Sequence, residues 1–154
     1  MRNDLLVLLL AGVLTAGCGG NDKKPTAPSV DMPALSKVLV ESMKTAFLAS
    51  LISDTTSVVG VKGAIQIAGE NWTFVGYSPD DKLIIDGLLV VEKSKYPDIP
   101  AKGTLQLSGS QTGALKVDMM VKVDGLKIIS TGTFELNGQV YDVAQLVAAG
   151  SGTG

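Results

Sequence analysis

From Val58 to Leu136 apolar side chains return at every second position. The clearest stretch is Leu115, Val117, Met119, Val121 and Val123, which alternate with Lys116, Asp118, Met120, Lys122 and Asp124. Successive side chains of an extended strand point to opposite faces, so this period gives one dry face and one wet face. Strands of that kind belong to antiparallel sheets. Val59, Val61, Ile65 and Ile67 are expected on one face, with Lys62 and Gln66 on the other. Trp72, Phe74 and Gly76 should alternate with Thr73, Val75 and Tyr77. Leu126, Ile128, Phe134 and Leu136 continue the habit, and Leu83–Val91 is apolar on both faces. Between these runs lie the turns Gly69-Glu70-Asn71, Ser78-Pro79-Asp80-Asp81, Gly109-Ser110-Gln111, Asp124-Gly125 and Asn137-Gly138. Asp-Gly and Asn-Gly suit two-residue hairpin loops, whose central positions need positive φ. The pattern predicts seven or eight strands, with a loop at Lys93–Pro100.

A different period precedes the strands. Pro33–Ile52 is expected to form one helix, with Asp31 as its cap and Pro33 in its first turn. On a 3.6-residue wheel Lys37, Glu41 and Lys44 make a solvated ridge. The opposite arc carries Leu35, Val38, Leu39, Met43, Phe47 and Leu51. The middle of that arc is small: Ser42, Ala46, Ala49 and Ser50. Small residues let a helix sit close on a sheet, and they also leave room for an apolar guest if the sheet stands off. Close packing is the simpler expectation. Near the other terminus Asp142–Ala149 has the pattern of a short helix. The fold class implied is α+β: an N-terminal amphipathic helix packed on a curved antiparallel β-meander.

Three segments share one form: Gly63-Ala-Ile-Gln-Ile-Ala-Gly69, Gly103-Thr-Leu-Gln-Leu-Ser-Gly109 and Gly132-Thr-Phe-Glu-Leu-Asn-Gly138. Their spacing is irregular, so they are no solenoid. The chain holds 18 Gly, and Gly within strands marks bulges or close backbone approach. A strongly curved sheet is the expectation.

The N-terminus follows neither period. Leu5–Leu14 is an unbroken run of apolar or Gly residues, about 15 Å long as a helix and half of a ~30 Å bilayer core. That is the size of a signal-peptide core, and Arg2 is the only basic side chain ahead of it. Next come Leu14-Thr15-Ala16-Gly17-Cys18. This stretch resembles the lipobox of bacterial lipoproteins, with Thr15 where the commonest form has Leu. The resemblance covers residues 1–18. It implies cleavage between Gly17 and Cys18, a diacylglycerol thioether on Cys18 and acylation of the new amine. Two or three acyl chains anchor firmly where one holds marginally. Gly19 follows the Cys, and in enterobacterial lipoproteins the absence of Asp there favours the outer membrane. Gly19–Ser29, with two Gly and two Pro, is a flexible spacer. The expected organisation is a signal peptide at 1–17, a lipidated Cys and tether at 18–30, one helix-plus-sheet domain at 31–149 and a flexible tail at 150–154.

Composition narrows the chemistry. The chain has no His and one Cys, which leaves no internal disulfide, no Cys-based zinc site and no histidine base. A formal charge of −2 with few aromatics does not suit a nucleic-acid partner. No Ser-x-x-Lys, Gly-x-Ser-x-Gly or phosphate-binding Gly-rich loop occurs. Asp80-Asp81 falls in a turn without calcium-loop spacing. No catalytic residue, metal site or cofactor is expected. Two functions remain. One is a structural or interaction lipoprotein of the bacterial cell envelope, on the periplasmic face of the outer membrane in a Gram-negative cell, its sheet edge or wet face meeting another envelope protein. The other is a carrier of lipid or another apolar small molecule, with a pocket over Ser42, Ala46, Ala49 and Ser50.

Overall fold

The computed structural model describes residues 30–125 and 127–151. The expected signal peptide, its cleavage site at Gly17 and Cys18, nearly all of the tether and the last three residues of the tail lie outside the described residues.

Helix α1 runs from Met32 to Ile52. The Asp31 carboxylate accepts the Ala34 amide at 3.0 Å, satisfying one of the donors a helix start leaves free, and Pro33 fills the first turn, where no N–H is needed. Its buried stripe is Met32, Leu35, Ser36, Leu39, Val40, Ser42, Met43, Ala46, Phe47 and Ser50. Leu51, expected on that stripe, is 62% exposed. Each residue advances a helix by about 100°, so Leu51 lies about 40° beyond Phe47 on the side of Lys44, past the edge of the covered arc.

Eight strands follow: β1 (Thr55–Val59), β2 (Lys62–Ala68), β3 (Asn71–Ser78), β4 (Leu83–Val91), β5 (Asp98–Gly109), β6 (Gly113–Asp124), β7 (Lys127–Leu136) and β8 (Gln139–Asp142). They form one open sheet in chain order, each neighbour antiparallel. Helix α2 (Val143–Ser151) closes the chain. The Asp142 carboxylate accepts the Gln145 amide at 2.9 Å, so it caps α2 and ends β8 after four residues. Helix α2 takes in Gly150, which was expected in the tail; Gly150 sits beside Pro33 and Lys37 of α1, an approach that suits a residue without a side chain. The fold is the expected α+β arrangement, a helix packed on an eight-stranded antiparallel meander.

One face of the sheet supplies the core: Ile65 and Ile67, Trp72 and Phe74, Ile85 and Leu89, Leu105, Leu115, Val117, Met119, Phe134 and Leu136, all packed with the α1 stripe and Val143. Leu83–Val91 alternates after all, with Leu88 and Val90 exposed on its outer side. The other side of β5–β7 carries the ion pairs Lys102–Asp118 at 3.3 Å and Lys116–Glu135 at 3.8 Å, the charged wet face the pattern called for. Both short hairpins form: Asp124 pairs with Lys127, and Leu136 with Gln139 around Asn137-Gly138, whose φ values are 53° and 81°.

Three further expectations are corrected. Tyr77 is buried, not opposite Phe74, because a bulge at Gly76 (φ 52°) shifts the register between Phe74 and Tyr77 and adds a residue to β3. Val59 and Val61 are exposed, and it is Val58 that faces the core and pairs with Ile65; a turn separates Val61 from Val59, and a register shift between Lys62 and Ala64 breaks the period again. The 93–100 loop is shorter than expected: a single 3₁₀ turn at Lys93–Lys95 leads into β5, which already pairs Asp98 with Lys122.

Candidate functional site

The four small helix positions occupy one side of α1. Ala46 is fully buried, Ser42 and Ser50 are buried, and Ala49 is half-buried. Both hydroxyls are engaged. Ser50 Oγ donates to the Phe47 carbonyl at 2.7 Å. Ser42 Oγ donates to the Val38 carbonyl at 2.8 Å and accepts the Tyr77 hydroxyl at 3.2 Å. The β3 bulge turns Tyr77 toward the helix, where its ring also meets Phe74 edge to face at 5.9 Å. A polar link therefore joins helix and sheet on the side where the small residues lie.

Two of the spaces that border α1 lie along its middle turns, and a third, of about 80 Å³, lies at its first turns beside Leu35, Val38 and Leu83. The first is an apolar cavity of about 10 Å³ lined by Val40, Met43 and Phe47 of α1 and by Trp72, Ile128 and Ser130 among sheet residues. That is room for roughly one water. None of the four small residues lines it. Trp72, 1% exposed, is among three residues with a buried polar atom that has no partner among the described residues: its indole N–H, and the hydroxyls of Ser36 and Ser78. The second is an open groove of about 340 Å³ between the polar ridge of α1 and the β3–β4 turn, lined by Lys37, Glu41, Ser42, Thr45, Tyr77 and Asp80. Asp80 accepts the amides of Lys82 at 3.0 Å and Leu83 at 2.9 Å. The Leu83 N–H first, and then that of Lys82, hold its carboxyl below the usual value of 3.8 against the opposing effect of burial. Asp80 is thus committed to shaping its turn.

At the far end of α1 the 3₁₀ turn is tied down. Lys93 Nζ reaches Asp54 at 2.9 Å and the Ser50 carbonyl at 3.3 Å, placing a cation at the negative end of the helix dipole. The Glu92 carboxylate, hydrogen-bonded to Lys95, raises that ammonium's pKa above its ordinary value. Among the described residues no group of three or more His, Cys, Asp or Glu side chains could hold a metal ion, and no helix is long and apolar enough to cross a membrane.

The sequence reading missed the outer edge of β7. Strand β8 covers only Thr133–Leu136, leaving Lys127–Gly132 without a strand partner on that side among the described residues. The signal was present: Asp142 ahead of Val143-Ala144-Gln145-Leu146 is a helix start, and it limits β8 to four residues. Comparison of the chain with protein-family models, with curated proteins and with solved structures gives no match.

Proposed function

We propose that this chain is a membrane-anchored lipoprotein of the bacterial envelope whose folded domain is a non-catalytic structural or interaction module. The observation that carries the reading is the single Cys at position 18, directly after Ala16-Gly17 and the apolar run Leu5–Leu14. The acyl chains on Cys18 would hold the domain at a bilayer through the spacer Gly19–Ser29. The outer membrane, facing the periplasm, is the favoured site in a Gram-negative cell, and the partner is another envelope protein and not a nucleic acid. The well-filled helix–sheet interface supports a module that works through its surface. The alternative, a carrier of an apolar molecule, has less support: the apolar cavity beneath α1 has room for about one water, and the larger groove that Ser42 lines is open and edged by Lys37, Glu41 and Asp80, where an acyl chain would stay in water.

The test is cell fractionation with mass spectrometry of the intact product. The expected protein starts at Cys18, carries acyl chains and sediments with membranes, while Cys18→Ser gives a folded protein in the soluble fraction. A product that starts at Met1, or that carries a free thiol at Cys18, would overturn the proposal.

A further inference from the structure

The edge of β7 follows from two short hairpins. Lys127 faces Asp124 across a two-residue loop, and Leu136 faces Gln139 across another. Residues flanking such loops exchange both hydrogen bonds, and backbone groups alternate sides along a strand. Lys127 and Ile129 therefore bond to β6, and Phe134 and Leu136 to β8. Ile128 and Ser130 direct their N–H and C=O groups to the side of β8, where β8 does not reach. No other backbone or side-chain bond to these groups is present among the described residues.

The side chains of the same two residues point inward, where they line the apolar cavity beside Val40, Met43 and Phe47. Farther along β7, where β8 covers the edge, Phe134 and Leu136 are fully buried; Ile128 and Ser130 are only half-buried. Helix α2 packs against β7 and crosses to the first turns of α1, with Gly150 near Pro33, and none of its residues lines the cavity. Among the described residues, the first half of β7 thus presents a backbone ladder without a strand partner, running along the mouth of an apolar hollow.

We propose that this half of β7 accepts an extended segment of a partner protein as an added ninth strand. This role deepens the interaction-module reading and rests on it. An exposed ladder is completed only by another extended backbone, and a neighbouring hollow selects the alternate side chains of the incoming strand. Sheet edges that avoid pairing carry charges, Pro or bulges. The run Ile128-Ile129-Ser130-Thr131-Gly132 has no charge, no Pro and no register shift against β6. The inward side chains of the added strand would lie at the mouth of this hollow beside the half-buried Ile128, which suits a short apolar residue such as Val. The chain's own spacer is a poor occupant, since Gly19, Gly20, Pro25, Pro28 and the Lys23-Lys24 pair all disfavour a strand.

The test is amide hydrogen exchange by NMR on the full chain in detergent micelles, with a soluble peptide of alternating Val and Thr as probe. The peptide should slow exchange at Ile128 and Ser130 by at least about tenfold. The same peptide N-methylated at its valines should not. Ser130→Pro removes a donor that β6 does not use, so it should leave the β6 ladder in place and abolish the effect. No slowing, or equal slowing by the methylated peptide, overturns the proposal. So does slow exchange without peptide: concentration-independent slowing would mean that the chain's own segment fills the edge, and concentration-dependent slowing that a second copy does. Cys18 plays no part in this experiment, so its failure is separable from a failure of lipid anchoring.

Discussion

The Asp86 carboxylate on β4 accepts the amide N–H of Gly76 on β3 at 2.6 Å. Gly76 is the bulge residue that turns Tyr77 inward, and Tyr77 in turn holds Ser42 on α1. A carboxylate on the wet side of the sheet therefore sets a contact on the dry side, through the backbone that separates them.

This pair makes a prediction. A Cβ on Gly76 would meet no atom within 4 Å, so Gly76→Ala tests conformation alone, at φ 52°. The expected cost is roughly 1–2 kcal/mol, the penalty of a left-handed residue. Asp86→Ala, which removes an exposed charged acceptor, should cost about 1 kcal/mol. The two share one bulge, so the double variant should lose less than their sum. Urea unfolding of all three proteins measures this. Strict additivity would show that Asp86 does not hold the bulge.

Gly132 offers a contrast, because its constraint is steric as well. It stands in β7 at φ 108°, and a Cβ there would run into the backbone carbonyl of Asp118 on β6. Gly132→Ala must separate two paired strands. The expected loss is about 3 kcal/mol or more, well above that of Gly76→Ala. Equal midpoints for the two variants would show that the β6–β7 contact relaxes freely.

The sheet was legible where apolar periodicity ran unbroken, as along β6, and the helix where Asp31, Pro33 and the 3.6-residue stripe agreed. Legibility failed where one residue changed the phase. Tyr77 was placed on the wrong face because a bulge needs a distant partner, Asp86, that no local pattern names. Leu51 was placed inside because apolar character does not show where an arc of contact ends. The small stripe on α1 was visible as residues. Its hydrogen bond to Tyr77 was not, since that depends on the same bulge. The free edge of β7 is a property of two strand lengths compared, which a reading of one strand at a time does not reveal.

Asp80 gives the fold a weak acid sensitivity. Its carboxyl is held below 3.8 by the Leu83 and Lys82 amides. A folded value lower than the unfolded one means stabilisation that is complete at neutral pH, begins to fade near 3.8 and is lost as pH falls through the lower folded value. Asp80 is exposed, so the effect should be small. Asp80→Asn keeps an oxygen acceptor but has no charge to lose. Its unfolding midpoint should fall less between pH 5 and pH 3 than that of the parent protein. Identical slopes would mean that the turn does not depend on the ionised carboxylate.

Ala46 decides between a filled and a hollow interior. It has no exposed surface, and it lies within the stripe that α1 presents to the sheet. In a packed interface, Ala46→Leu inserts atoms where none fit. Overpacking of this kind costs about 1–3 kcal/mol and forces neighbours from their preferred rotamers. In an apolar carrier the same change would fill space that a guest otherwise occupies, and stability would hold or rise while the guest was displaced. Thermal unfolding of Ala46→Leu, with solvent extraction of the purified protein for bound lipid, separates the two. The expected result is a lower midpoint and no extractable lipid from either protein. A stabilised variant, together with lipid released from the parent chain, would favour the carrier and displace the interaction module as the reading of this domain.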